Sequence, residues 1–145
     1  MSHPDLPTGA SPYPRLFQAL QQERLSLRNR IAHASISTRL GQPGQLSEGY
    51  RRYCEQRAVG GAGLLITEPL GLHPGQGAAR LSTWDDGHLD TLRRLAGAVE
   101  GHGCRLIGQV QDPGRGRHVP GRGQDALAPS ALPDDLSGTM PRAMA

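Results

Sequence analysis

The sequence contains no lysine, few aromatic residues and no long apolar run. All 16 basic residues are arginine, and aromatics make up only 3% of the chain, which leaves little bulky material for a core. No apolar stretch approaches the roughly 20 residues of a membrane-spanning helix. The N-terminal stretch also lacks the apolar segment of a signal peptide. We therefore expect no membrane partner and, by default, a cytoplasmic location.

Cysteine and histidine are too scattered to indicate a disulfide or a metal site. Cys54 and Cys104 lie far apart and neither belongs to a CxxC pair, which favours free thiols in a reducing compartment. The histidines at positions 73, 88, 102 and 118 have no spacing that suits metal ligation. We expect no metal ligands in the chain.

The net positive charge does not by itself indicate a class of binding partner. A net charge of +3 in a chain with 20 glycines and 12 prolines is as typical of a GC-rich coding background as of a binding surface. Residues 114–123, GRGRHVPGRG, have the composition of an arginine-glycine binding module, which we keep as the weaker alternative. Because the run lacks the aromatic residues that stack on bases, we expect no nucleic-acid partner.

The remaining pattern alternates strands and helices. Short apolar runs at residues 30–37, 64–68 and from Leu106 onward predict three strands, with a helix-like segment between each pair. This order predicts an α/β fold with a parallel sheet. Residues 1–14 carry four prolines and predict a flexible tail, while the segment before Ile31 fits a turn of helix or a hairpin.

Capping signals place the two helices. Ser47 is the expected N-cap of the first helix, which should end at Gly60. The second helix should begin at Asp85 and Asp86 and end at Gly101, with leucines along one face. After the third strand the pattern ends in a long loop over residues 112–140, and loops of this length are usually functional or disordered.

Five motifs follow one another along the chain: LRNRI at 27–31, YRRYCEQRAVGGAGLLITE at 50–68, GQVQDPGR at 108–115, APSAL at 128–132 and PRAMA at 141–145. Together they resemble the N-terminal part of the Old Yellow Enzyme family, whose members are flavin-dependent NADH:flavin oxidoreductases. They occur in the family's order, so the likeness covers residues 16–145.

This resemblance implies the N-terminal portion of a (β/α)8 TIM barrel, incomplete in this chain, with residues 15–145 as part of an FMN-binding oxidoreductase domain. It implies FMN as cofactor, NADH or NADPH as reductant, and an activated alkene, enoyl thioester or N-methyl compound as substrate. The stretch LSEGYRRYCEQRAVGGAGLLITEP looks closer to the 2,4-dienoyl-CoA reductase and N-demethylase-like branch than to plain ene-reductases. An iron–sulfur cluster would require cysteines of a longer chain, and a homo-oligomer is left open.

The resemblance also carries individual residues. Ser35, Ile36 and Ser37 match the family segment that crosses the flavin, although the family usually has Pro and Met at the first two positions. Pro69 matches a small residue beside the ring, and Gln109 matches the glutamine that binds the pyrimidine side of the flavin. The family's catalytic residues and phosphate-binding loops would lie beyond residue 145. A non-catalytic truncated product is therefore the alternative function.

Overall fold

The computed structural model describes residues 12–40, 46–72, 83, 86–112, 114, 126–135, 138 and 140–144. Its elements follow in the order β1 Leu20–Gln22, β2 Leu25–Leu27, β3 Ala32–His33, α1 Glu48–Val59, β4 Leu64–Ile66, β5 Leu70–Gly71, α2 Leu89–Glu100, β6 Arg105–Ile107, β7 Val110–Gln111, β8 Leu127–Ala128 and β9 Arg142–Ala143. Residues 1–11 of the predicted tail and most of the arginine-glycine run at 114–123 lie outside the described residues.

Three parallel strands form the centre of the fold, with β4 between β3 and β6. Leu65 of β4 lies opposite His33 on one side and Leu106 on the other. The connections between these strands pass through α1 and α2, as the alternating pattern predicts. Each strand is two or three residues long, shorter than the sequence indicates, because the chain leaves the ladder and continues into polar loops.

The chain before the sheet forms a hairpin, which was one of the two predicted alternatives. Strands β1 and β2 pair antiparallel, with Leu20 opposite Leu27. The connection passes through Glu23, which has a positive φ of 45°. Leu27 is buried and belongs to the apolar core. The hairpin thereby joins the N-terminal segment to the body of the fold.

Helix α1 begins and ends where the sequence predicts. The Ser47 side chain accepts a hydrogen bond from the Tyr50 N–H at 3.0 Å, which satisfies one of the unpaired donors of the first turn. Gly60 is the C-cap, and Gly61 follows with a φ of 103°, a conformation that favours glycine. Local capping chemistry therefore fixes both ends of α1.

Helix α2 begins later than predicted. The described residues Asp86–His88 form a 3-10 turn, and the α-helix starts only at Leu89. His88 occupies the N-cap position without a side-chain cap hydrogen bond, so no cap signal in the sequence marks this boundary. The predicted end at Gly101 is confirmed.

The two helices cover one face of the sheet. Leu65, Leu95 and Val99 are almost completely buried and form the core with Tyr50, Cys54, Ala58, Ala62, Leu70 and Cys104. Side chains alternate between the faces of a strand, so the neighbours of Leu65 face the other way. That face is open among the described residues: Ile107 is 42% exposed.

No described helix is long and apolar enough to span a bilayer.

One arginine joins the C-terminal ends of both helices. Arg28 Nη2 donates hydrogen bonds to the carbonyl oxygens of Ala58 at 2.6 Å and Ala62 at 2.9 Å. Its Nη1 donates to the carbonyl oxygen of His102 at 2.7 Å. The last carbonyls of a helix lack partners within the helix, and a cation is favourable there. Arg28 therefore stabilises α1, α2 and the loops that follow them.

Asn29 and Gly63 pack closely at the start of β4. Asn29 Nδ2 donates to the Gly61 carbonyl at 2.7 Å, and its Oδ1 accepts from the Ile31 N–H at 3.0 Å. A Cβ on Gly63 would lie 2.5 Å from Asn29 Oδ1 and 2.8 Å from the Asn29 carbonyl oxygen. No side chain fits at this position without moving Asn29.

We therefore expect Gly63→Ala to lower the free energy of unfolding by about 1–3 kcal/mol through overpacking. Gly97→Ala is the matched control, because Gly97 lies inside α2 and nothing would come within 4 Å of its added Cβ. That control should raise stability by about 0.5–1 kcal/mol through helix propensity. Urea unfolding followed by circular dichroism measures both, and equal effects of the two substitutions would contradict the close contact.

Candidate functional site

The carboxyl ends of β3, β4 and β6 lie along one edge of the sheet because the strands are parallel and adjacent. We call this region the carboxyl edge and define it as residues 34–38, 67–70 and 108–109. Parallel α/β folds bind ligands at this edge. It contains all five residues that the sequence predicts as cofactor contacts, namely Ser35, Ile36, Ser37, Pro69 and Gln109.

Ser35 and Gln109 meet across the carboxyl edge although they lie 74 positions apart in the chain. The Ser35 hydroxyl donates a hydrogen bond to Gln109 Oε1. This contact spans the end of β4, which lies between the two outer strands. Because Oε1 is the acceptor, the amide nitrogen Nε2 is left to donate to a ligand. None of the hydrogen bonds between described residues uses Nε2.

The main chain of Gln109 is held on both sides by the segment after β4. Its N–H donates to Thr67 Oγ1 at 3.0 Å, and its carbonyl oxygen accepts from the Leu70 N–H at 2.8 Å. Leu70 then pairs with Val110 in the short ladder of β5 and β7, which the sequence did not predict. The backbone that carries the exposed Gln109 amide is therefore fixed by its neighbours.

The other predicted contact residues give the carboxyl edge a mixed surface. Ile36 is 54% exposed, which is unusual for a large apolar side chain, and Ser37 beside it is also exposed. Pro69 is half-buried and offers no N–H to a ligand. An apolar side chain between hydroxyls and an amide suits a flat ligand with a polar rim. The structure places these residues on one edge but joins only Ser35 to Gln109.

Below these exposed side chains lies a buried contact between Glu68 and Thr38, a pairing that the sequence did not predict. Glu68 is 5% exposed, and its Oε2 accepts hydrogen bonds from both the N–H and the hydroxyl of Thr38, each at 3.0 Å. Glu68 ends a predicted strand, and a carboxylate there fits either a functional role or an internal hydrogen bond or ion pair with an arginine. Its partner lies 30 positions earlier and carries no local signal. The position of Thr38, directly after the predicted contact segment, was the one available clue.

His33 is not part of the carboxyl edge. Its Nε2 lies 3.0 Å from the Tyr53 hydroxyl, and the two rings meet edge to face at 5.6 Å. This contact places the imidazole against α1, as expected for a packing histidine. Among the described residues, no group of three His, Cys, Asp or Glu side chains is arranged to hold a metal ion.

The two thiols lie in the core, away from solvent. Burial raises the pKa of Cys54 to about 11 and also raises the pKa of Cys104. Tyr50 shares this environment, and burial raises its pKa above the ordinary range as well. The thiolate is the reactive form of cysteine, and these pKa shifts disfavour it. Neither thiol is suited to act as a nucleophile.

The chain is similar to a known protein family over most of its length. The profile of the NADH:flavin oxidoreductase / NADH oxidase family matches residues 15–144. An NADPH dehydrogenase of Geobacillus thermodenitrificans is 34% identical over 137 residues, which are 89% of this chain and 38% of that protein.

Solved structures give the same result. Morphinone reductase in complex with tetrahydroNAD aligns with a TM-score of 0.75 and 28% identity over 91% of this chain and 41% of that one. An old yellow enzyme homologue from Zymomonas mobilis aligns with a TM-score of 0.73 and 25% identity over 91% and 40%. These are (β/α)8 barrels, which confirms the predicted fold. The chain spans well under half the length of these relatives.

The buried thiols give a direct test of core integrity. We expect neither Cys54 nor Cys104 to react with Ellman's reagent at pH 8 while the chain is folded, because both are buried and largely protonated. Both should react at once in concentrated urea, and free glutathione at the same pH is the positive control. Rapid release of one or two equivalents without denaturant would contradict the buried positions.

Proposed function

The chain belongs to the NADH:flavin oxidoreductase / NADH oxidase family, and on that premise we propose that its carboxyl edge binds the isoalloxazine ring of FMN. Membership confirms the resemblance to the Old Yellow Enzyme family that the sequence motifs indicated. The observation that carries the proposal is the hydrogen bond between Ser35 and Gln109. It joins two residues that separate family motifs predict as flavin contacts, at the edge where parallel folds bind ligands.

The donor set fits the pyrimidine side of a flavin. That side presents carbonyl oxygens, which need hydrogen-bond donors. Ser35 occupies Gln109 Oε1, so Gln109 offers the N–H groups of Nε2 to this rim. The exposed Ile36 supplies an apolar surface for the ring system. On this proposal, residues of the carboxyl edge contact the isoalloxazine ring, and we expect the contacts to the FMN phosphate to lie elsewhere.

Bound FMN would supply hydride chemistry between a reduced nicotinamide and an acceptor, while the protein supplies orientation and tuning. The part of this chain is to hold the ring. Gln109 orients the pyrimidine edge through its amide, and Ser35 fixes which amide atom faces the ring. The Thr67 and Leu70 contacts keep the Gln109 backbone from moving when the ligand binds.

The proposal extends to the reductant and the substrate class. We assign NADH or NADPH as reductant, supported by the tetrahydroNAD complex of morphinone reductase. We keep an activated alkene, an enoyl thioester or an N-methyl compound as the substrate class. An iron–sulfur cluster would belong to a longer chain. A cytoplasmic location is a sequence-based expectation, and the oligomeric state is left open.

The direct test is titration of the 145-residue chain with FMN, followed by quenching of flavin fluorescence. We expect saturable binding, and about fivefold weaker binding for Gln109→Ala, since a neutral hydrogen bond contributes about 1 kcal/mol. Gln21→Ala is the matched control, because Gln21 lies in the β1–β2 hairpin and its side chain donates a hydrogen bond to Ser26 of that hairpin.

Two results would contradict the proposal. Absence of saturable quenching with a folded circular dichroism spectrum would favour the alternative of a non-catalytic product. Equal affinity of the Gln109→Ala and Gln21→Ala variants would place the flavin away from the carboxyl edge.

A further inference from the structure

The Glu68 carboxylate is buried at the end of β4 without an arginine partner among the described residues. Its Oε2 accepts two hydrogen bonds from Thr38, while its Oε1 is buried without a hydrogen-bond partner in the described part of the chain. Burying a carboxylate with an unsatisfied oxygen is unfavourable. Costs of this kind concentrate at functional positions, so stability alone does not explain Glu68.

Both hydrogen bonds that the Glu68 carboxylate accepts come from one residue. The Thr38 N–H and the Thr38 hydroxyl converge on Oε2 at 3.0 Å each. Hydrogen bonds to a charged acceptor are stronger than neutral ones. Thr38 is the last residue of the first carboxyl-edge segment, which contains Ser35, Ile36 and Ser37. The contact therefore fixes the C-terminal end of residues 34–38, whose N-terminal end follows directly from β3.

The turn that follows Thr38 needs this support. Arg39 has a φ of 58°, a left-handed conformation that is strained for arginine. The Leu40 N–H donates to Thr38 Oγ1 at 3.1 Å, so the same hydroxyl that binds Glu68 closes the turn. The Leu40 carbonyl oxygen accepts a hydrogen bond from Ser47 at the start of α1. Strained backbone of this kind persists only where its surroundings over-determine it.

Glu68 is itself held from α1. Its N–H donates to the Tyr50 hydroxyl at 2.8 Å, and Tyr50 is 2% exposed. The Tyr50 N–H in turn donates to the Ser47 side chain. A closed circuit of hydrogen bonds thus links the first turn of α1, the end of β4 and the segment after β3.

We propose that Glu68 is a positioning residue that sets the path of residues 34–38 through Thr38, and thereby the position of Ser35 against Gln109. This role rests on the proposed function, because residues 34–38 are the predicted ring-facing segment. Glu68 is a buried residue of the carboxyl edge that acts through Thr38 and does not contact the ligand itself. We call the contact between Glu68 and Thr38 the Glu68 clamp.

Trypsin tests the Glu68 clamp without any ligand, because Arg39 provides an exposed cleavage site inside the turn. We expect Thr38→Val, which removes only the hydroxyl, to speed cleavage after Arg39 about tenfold, as expected for the loss of a hydrogen bond to a charged group. Thr38→Ser keeps the hydroxyl and should cleave at the wild-type rate. Cleavage after Arg57 in α1 reports global unfolding and should change in neither variant.

The second readout is FMN affinity together with the flavin absorption spectrum. Thr38→Val should weaken FMN binding about tenfold and shift the bound-flavin spectrum, and Thr38→Ser should restore both. Glu68→Gln, which keeps the shape and removes the charge, should resemble Thr38→Val in both readouts. A double-mutant cycle of Glu68→Gln with Thr38→Val should show that the two effects do not add.

Proteolysis and FMN binding test the Glu68 clamp and the proposed FMN site separately. Unchanged cleavage after Arg39, or equal acceleration after Arg39 and Arg57, would overturn the Glu68 clamp even if the wild type binds FMN. Faster cleavage after Arg39 in a chain whose wild type does not bind FMN would overturn the proposed function, and the positioning role with it.

Discussion

The parallel pairing of β4 with both β3 and β6 is the constraint on which the rest of the structure depends. It brings residues far apart in the chain to one edge, and it places Leu65 between His33 and Leu106. The polar groups that end the three strands therefore become neighbours. Without this register, the hydroxyl of Ser35 would not reach Gln109, and Thr38 would not reach Glu68.

The two ends of the sheet have different chemistry. At the start of the strands, Arg28 and Asn29 use their side chains to satisfy backbone carbonyls, and Gly63 permits close packing. Those groups are engaged with one another and serve stability. At the carboxyl edge, Gln109 and Ile36 are exposed on a backbone that is itself firmly held. In barrel enzymes, too, the N-terminal end of the strands serves stability and the C-terminal end carries the active site.

Local signals in the sequence predicted most of the fold. The boundaries of α1 followed from Ser47 and Gly60, because caps act on adjacent residues. The start of α2 was missed since its first turn has no side-chain cap. The β5–β7 ladder was also missed, because its strands are too short to show a period.

Only part of the candidate site could be predicted from the sequence. Ser35 and Gln109 were each identified from family motifs, but their hydrogen bond across β4 required the structure. The Glu68 clamp was not predicted, because its partners are 30 positions apart and no sequence pattern pairs a strand-end carboxylate with a distant threonine. Long-range side-chain contacts of this kind follow from topology, not from local propensity.

The most direct test of the central claim is a ¹H–¹⁵N correlation spectrum of the labelled chain as FMN is added. We expect the Gln109 side-chain amide to shift most, together with backbone amides of residues 34–38, 67, 68, 70 and 108–109. Signals of the β1–β2 hairpin should stay in place. Shifts confined to that hairpin or to the outer face of α1, with the carboxyl edge unchanged, would show that FMN does not bind at the carboxyl edge.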